Sequence, residues 1–165
     1  MLLLVVSGLP GTGKSTLAEA LAARLAAAHV SIDPVEEALR WCGVPPETSG
    51  VAAYEAARAA AATSLAAGRD VVVDAVNDSG PARDTWHRAA APTGARLRFV
   101  VLDLADRDEH RSRLAGRVRP FERVGEPTWR EVRERSMAPW AEDVLRLDTG
   151  RSVVDLVAAV LDDLR

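Results

Sequence analysis

The stretch Gly8-Leu9-Pro10-Gly11-Thr12-Gly13-Lys14-Ser15, followed by Thr16, constrains this chain more than any other. It has the form GxxxxGKS. It follows an apolar run, Leu2 to Val6, that suits a buried strand, and opens into Leu17 to Leu25, a segment of strong helical propensity. Strand, glycine loop and helix in that order are the context in which such a loop wraps a polyphosphate. Glycines at 8, 11 and 13 permit positive φ and close approach of backbone N–H groups, and the helix N-terminus behind them adds partial positive charge. Gly8, Pro10, Gly11, Thr12, Gly13, Lys14, Ser15 and Thr16 are therefore the candidate phosphate-binding residues. Lys14 is placed to reach the β- and γ-phosphates, and the Ser15 hydroxyl to bind Mg²⁺. A glycine-rich connecting turn is the plainer alternative.

Composition sharpens the reading of Lys14. It is the only lysine among the 21 Lys and Arg residues, so a slim ammonium is kept at this one position where a guanidinium would fill the loop differently. The 165 residues suit one domain, and 48% hydrophobic with 27% charged residues are ordinary for a globular protein. A net charge of −3 argues against global attraction to nucleic acid or an anionic membrane, though a local basic patch stays open. The single cysteine, Cys42, excludes an intramolecular disulfide and fits a reducing, cytoplasmic setting. Met1 to Val6 lacks a basic flank and reads as a first strand rather than a signal peptide, and no run approaches the ~20 apolar residues of a membrane span. His29, His87 and His110 show no ligand spacing and read as surface or helix positions.

Further along, His29 to Asp33 reads as a short strand ending in a carboxylate, with Pro34 opening a helix to Trp41. An alanine-rich helix from about Val51 ends near Gly68, and Asp70 to Asp74 is a β-branched strand, again ending in a carboxylate. A helix capped by Asp78 or Ser79 runs to about Ala91, and Leu97 to Asp103 is the fourth strand. A helix from about Asp106 to Ala115 runs into an arginine-rich stretch, and Thr128 with Glu131 makes a capping box. Val144 to Asp148 is a fifth strand, and Ser152 to Leu164 an amphipathic closing helix. Strands alternating with helices predict an α/β fold, a parallel sheet covered on both faces.

Ligands of such sheets gather beyond the carboxyl ends of the strands, where Gly8, Asp33, Asp74 and Asp148 fall. Asp33 is a candidate general base for a substrate hydroxyl, or an N-cap for the helix at Pro34. Asp74 is a candidate Mg²⁺ ligand, or part of a strand-ending turn. Asn77 is a candidate substrate contact. Of the arginines between Asp106 and Arg123, Arg113 and Arg117 stand out, because RxxGR at a helix-to-loop junction puts two guanidiniums on a hinge that closes over a triphosphate. Trp41 and Trp129 could line an acceptor pocket, although packing is the commoner use of tryptophan.

The GLPGTGKST loop, the carboxylate after strand two, VVVDAVND, RLAGR and LDTG together resemble the P-loop kinases of the adenylate-kinase-like group. Within it the chain is similar to chloramphenicol phosphotransferase and to the kinase domain of polynucleotide kinase, proteins often labelled AAA family ATPases. The resemblance covers nearly the whole chain and implies a three-layer P-loop NTPase fold, with a five-stranded parallel sheet in order 2-3-1-4-5 and a short lid at about 113–126. It implies ATP and Mg²⁺ as cofactors, Lys14 and Ser15 on phosphates and metal, Asp33 as base, Arg113 and Arg117 in the lid, and Thr149 and Gly150 near adenine. Polynucleotide kinases carry an arginine shortly after the base; here Pro34-Val35-Glu36 follows Asp33 and Arg40 is the nearest substitute. The expectation is a single-domain kinase transferring the γ-phosphoryl group to a hydroxyl of a small molecule, with no nucleic-acid or membrane partner. A polynucleotide 5′-kinase, a toxin-type kinase acting on a nucleotide sugar, and a regulatory nucleotide-binding module without acceptor are the alternatives.

Overall fold

Leu2–Gly8 (β1), a run of leucine and valine, forms the centre of the sheet in the computed structural model, which describes residues 1–165. Its neighbours are Val71–Ala75 (β3) and Arg96–Asp103 (β4), and the edges are Ala28–Ser31 (β2) and Val144–Asp148 (β5). All pairings are parallel and the order is β2-β3-β1-β4-β5, the three-layer arrangement that the sequence resemblance implies.

Successive side chains of a strand point to opposite faces, and both faces are apolar here. Leu3, Val5, Val71, Val73 and Phe99 pack against Ile32–Trp41 (α2), Pro46–Ala66 (α3) and Gly80–Ala90 (α4), with Trp86 fully enclosed. Leu4, Val6, Val72, Val100 and Leu102 pack against Lys14–Leu25 (α1) and Val153–Asp163 (α7). Ala53, Ala57, Ala61 and Leu65 repeat every fourth residue along α3 and are all fully buried, so alanine serves there as close-packing core. No helix is long and apolar enough to cross a membrane.

Among the boundaries that differ from those read in the sequence, two bear on the site. Strand β2 stops at Ser31, which is the N-cap of α2, so Asp33 lies in the first helical turn rather than at a strand end. Ser31 makes no cap hydrogen bond because its Oγ donates to Asp74 instead. Helix α3 starts at Pro46, absorbing Thr48 to Gly50, since a proline in the first turn loses no helical hydrogen bond.

Beyond β4, Arg107–Ala115 (α5) is capped by Asp106, which accepts from the backbone of Asp108 and Glu109. Trp129–Glu134 (α6) starts at the Thr128–Glu131 capping box. The intervening residues have no helix or strand and cross the carboxyl end of the sheet where the sequence resemblance expects a lid, the name used for the segment below. Its far end is fixed by buried Glu37 of α2, whose carboxylate accepts the backbone N–H groups of Glu122, Arg123 and Val124 and the Trp41 indole. Burial works against that charge, but the converging donors outweigh it and hold its pKa below the ordinary glutamate value.

Candidate active site

The phosphate loop is shaped by what surrounds it. A Cβ on Gly8 would lie 2.6 Å from the Leu102 carbonyl oxygen, and one on Gly11 would lie 3.1 Å from the His110 ring. Both glycines have positive φ, 147° and 88°, so only glycine fits on both counts. His110, buried on α5, donates from Nε2 to the Pro10 carbonyl at 2.8 Å and packs edge-on against Trp129. Thr12 is buried and braces the loop by donating to the Leu9 carbonyl at 2.8 Å. Gly13 is exposed and left-handed at the start of α1, with Thr16 exposed one turn on.

Lys14 donates to the Leu9 carbonyl at 3.1 Å. Burial pushes its pKa down to about 8, against the pull of Asp74 and Asp33. Ser15 Oγ stands 3.4 Å from Asp74 Oδ1, which also accepts from Ser31 Oγ at 2.8 Å. Asp74 is almost fully buried, and its Oδ2 has no hydrogen-bond partner. His29 Nε2 lies 3.6 Å from that oxygen, and the carboxylate raises the histidine's pKa. Burial opposes the Asp74 charge, yet His29, Ser31 and Lys14 bring its pKa below the ordinary value. A hydroxyl and a carboxylate side by side, one oxygen unsatisfied, are an oxygen donor set that fits Mg²⁺ with its retained waters.

Opposite this floor, Asp33 meets the lid. Arg119 donates to its Oδ2 and Arg117 stands 3.8 Å away, while both arginines also pair with Glu126. Two guanidiniums and two carboxylates thus alternate over the phosphate loop. Arg113 is elsewhere: it pairs with Glu109 and donates to the Thr149 carbonyl at 3.0 Å, which places it beside the last strand. Thr149 is buried, with its N–H on Asp103, and the Gly150 N–H donates to Asp148.

A cavity of about 1010 Å³ runs from the phosphate loop past Arg113, Thr149, Arg151 and Leu156 on one side and His29, Ser31 and Phe121 on the other. A second, of about 580 Å³, lies between α2, α3, the end of β3 and the lid. The two share Lys14, Ser15, Asp33, Arg117 and Arg119 as a common wall.

Three candidate substrate residues do not reach either cavity. Asn77 is fully buried: its amide donates to Ser7 Oγ and accepts from the Trp86 indole, both at 2.7 Å, with φ at 55°. Its role is to lock the end of β3 to the core, which corrects the reading of it as a substrate contact. Asn77→Ala would strand two buried polar groups, and the expected loss is about 2–4 kcal/mol, read as a lower denaturation midpoint at unchanged slope. Arg40 is engaged by Glu36, Ser49 and the Arg123 carbonyl, and Trp41 lies under the Arg123 guanidinium. Both hold the lid's anchored end and line neither cavity. Arg119, His29 and Glu37 were not singled out by the sequence, since the partners that place them, Asp33, Asp74 and Glu122 to Val124, are 45 to 87 residues distant.

Comparison with known proteins bears on this geometry. The AAA domain family matches residues 3–139. The chain belongs to that family. Uncharacterized proteins of Mycobacterium bovis and Mycobacterium tuberculosis are 36% identical over 107 residues, 58% of this chain and 22% of theirs, so the chain spans about a fifth of those relatives. Among solved structures, a candidate kinase of Chloroflexus aurantiacus superposes with a TM-score of 0.79 at 21% identity, covering 99% of this chain and 98% of that one. A gluconokinase of Sinorhizobium meliloti gives 0.67 at 22% identity, covering 99% and 95%. The APS kinase of Mycobacterium tuberculosis, solved with AMPPNP and APS, gives 0.70 at 21%, covering 99% and 96%. The fold of this AAA domain is that of P-loop kinases of small molecules.

Proposed function

We propose that this domain is an ATP- and Mg²⁺-dependent phosphotransferase that moves the γ-phosphoryl group to a hydroxyl of a small molecule. The observation that carries the reading is the common wall: two cavities separated by an ammonium, two guanidiniums, a hydroxyl and a carboxylate. A module that only binds nucleotide has no need of the second cavity or of a carboxylate facing it. The kinase neighbours support the reading.

In this scheme the larger cavity takes ATP, with the triphosphate on the loop and the base toward Thr149 and Arg113. Lys14 neutralises the β- and γ-phosphates and regains full protonation as it does so. Bound Mg²⁺, held by Ser15 and through water by Asp74, would supply charge neutralisation and fix the phosphate geometry. Arg117 and Arg119 turn from Asp33 and Glu126 to the γ-phosphoryl oxygens, which leaves Asp33 free to accept a hydrogen bond from the acceptor hydroxyl. The acceptor oxygen bonds to the γ-phosphorus, the bond to the β,γ-bridging oxygen breaks, the hydroxyl proton passes to Asp33, and ADP leaves. Little covalent work falls to the protein, so catalysis is positioning and charge stabilisation.

The test is transfer of labelled γ-phosphate from ATP into a mixed extract of metabolites and antibiotics. A labelled ester formed by the wild type is expected; release of free phosphate alone would refute the kinase reading. Asp74→Asn is expected to raise the Mg²⁺ needed for half-maximal activity about tenfold, as measured by metal titration at saturating ATP.

A further inference from the structure

The smaller cavity carries information about its occupant. Away from the shared wall it is lined by Glu36, Asp78, Glu126 and Glu131 against one cation, Arg135. Arg135 is itself paired with Asp78 Oδ2 at 3.3 Å. Three of these carboxylates each keep one oxygen without an intramolecular partner. Glu36 receives Arg40 and Ser49 on Oε1 alone, Glu131 receives Thr128 on Oε2 alone, and Asp78 receives Arg135 on Oδ2 alone. Asp74, almost fully buried in the same lining, makes no hydrogen bond through Oδ2, where its nearest cation is His29 at 3.6 Å on the side of the larger cavity. A carboxylate has about four lone-pair sites, so this wall is rich in acceptors and has few free donors.

The charge balance tilts further when the site is loaded. Arg117 and Arg119 now neutralise Glu126 and Asp33. Once they turn to a triphosphate, both carboxylates face the acceptor without a counter-charge. An anionic acceptor would meet like charge on most sides, which costs affinity. The aromatic content is one tyrosine, Tyr54, whose ring packs against Trp86 with centroids 5.9 Å apart and whose hydroxyl accepts the Asn77 N–H, so the cavity is poorly furnished for stacking a base.

Resting on the kinase reading above, we propose that the acceptor is a small polyhydroxylated molecule bearing an ammonium group, of the amino-sugar or amino-alcohol class. Its hydroxyl is phosphorylated at Asp33, and its ammonium, which keeps its protons throughout, pairs with Asp78, Glu131 and Glu36. This differs from the acceptors that the names gluconokinase and APS kinase give for two neighbours of the same fold.

The experiment is a transfer assay with wild-type protein, labelled ATP and Mg²⁺ against three sets of probes. Glucosamine, kanamycin and ethanolamine carry amines; glucose, myo-inositol and glycerol are neutral; gluconate, glycerate and adenosine 5′-phosphosulfate are anionic. The expected result is a best amine-bearing acceptor with kcat/KM about tenfold or more above the best neutral and anionic ones. For that acceptor, Asp78→Asn with Glu131→Gln, the latter keeping the helix cap, is expected to raise KM about tenfold while KM for ATP holds. A neutral or anionic molecule as best acceptor, or no transfer to any amine, overturns the inference. Transfer to an anionic or neutral probe leaves the kinase reading standing, whereas free phosphate as sole product throughout removes that reading as well.

Discussion

Lys14→Ala is expected to lower phosphoryl transfer by about 10²–10³-fold and to abolish the rise in melting temperature that ATP gives the wild type. The ammonium is unique in the chain and sits on the wall common to both cavities. Its pKa of about 8 shows that burial disfavours its charge in the free protein. The folded value is below the unfolded one, so holding this group charged costs folding free energy below pH 8, a cost relieved as pH rises toward the unfolded value. The variant without ATP is therefore expected to be no less stable than the wild type. Triphosphate binding reverses the balance by placing negative charge on the ammonium. ATP affinity is thus expected to be greatest below pH 8 and to fall as pH rises through it, with proton uptake on binding, measured by calorimetry in buffers of different ionisation enthalpy. Lys14→Ala should show neither the pH dependence nor the uptake; the same uptake in the variant would assign the proton elsewhere.

Asp33→Asn is expected to keep ATP affinity within a few-fold and to lose about 10²–10⁴ in transfer, the range for a positioned general base. The amide keeps the shape of the carboxylate but cannot take the proton. Its loss of pairing with Arg119 and Arg117 is expected to matter little for stability, under about 1 kcal/mol, because the Asp33 side chain is 40% exposed and such pairs are weak. A large fall in melting temperature with transfer intact would make Asp33 a structural tether for the lid.

The parts of this site legible in the sequence are those that local chemistry dictates. The phosphate loop was readable because glycine spacing, the preceding strand and the following helix lie within 25 residues of one another. The five strands were readable because short β-branched runs between helical segments have few other uses. Asp33 reads in the sequence as the end of the second strand or the cap of the next helix, but it stands two residues past the N-cap, because Ser31, committed to Asp74, ends the strand first. The arginines mark the segment expected to be a lid, but which of them meets Asp33 depends on the path of an irregular segment, and Arg113 stays on α5 beside Thr149. That path is set by Glu37 holding three amides from the far end of the lid, a contact no local pattern encodes. Asn77 misled for the same reason: an exposed-looking loop residue is drawn into the core by Ser7, Tyr54 and Trp86.

The most direct test of phosphoryl transfer through Asp33 is the ratio of phosphate ester to ADP, measured in one reaction for the wild type and for Asp33→Asn with the acceptor found by labelling. The expected result is a ratio near one for the wild type and, for the variant, ester formation slowed by at least about a hundredfold with ATP still bound. Ester formed by Asp33→Asn at the wild-type rate would contradict it and leave Asp33 as a residue that only ties down the lid.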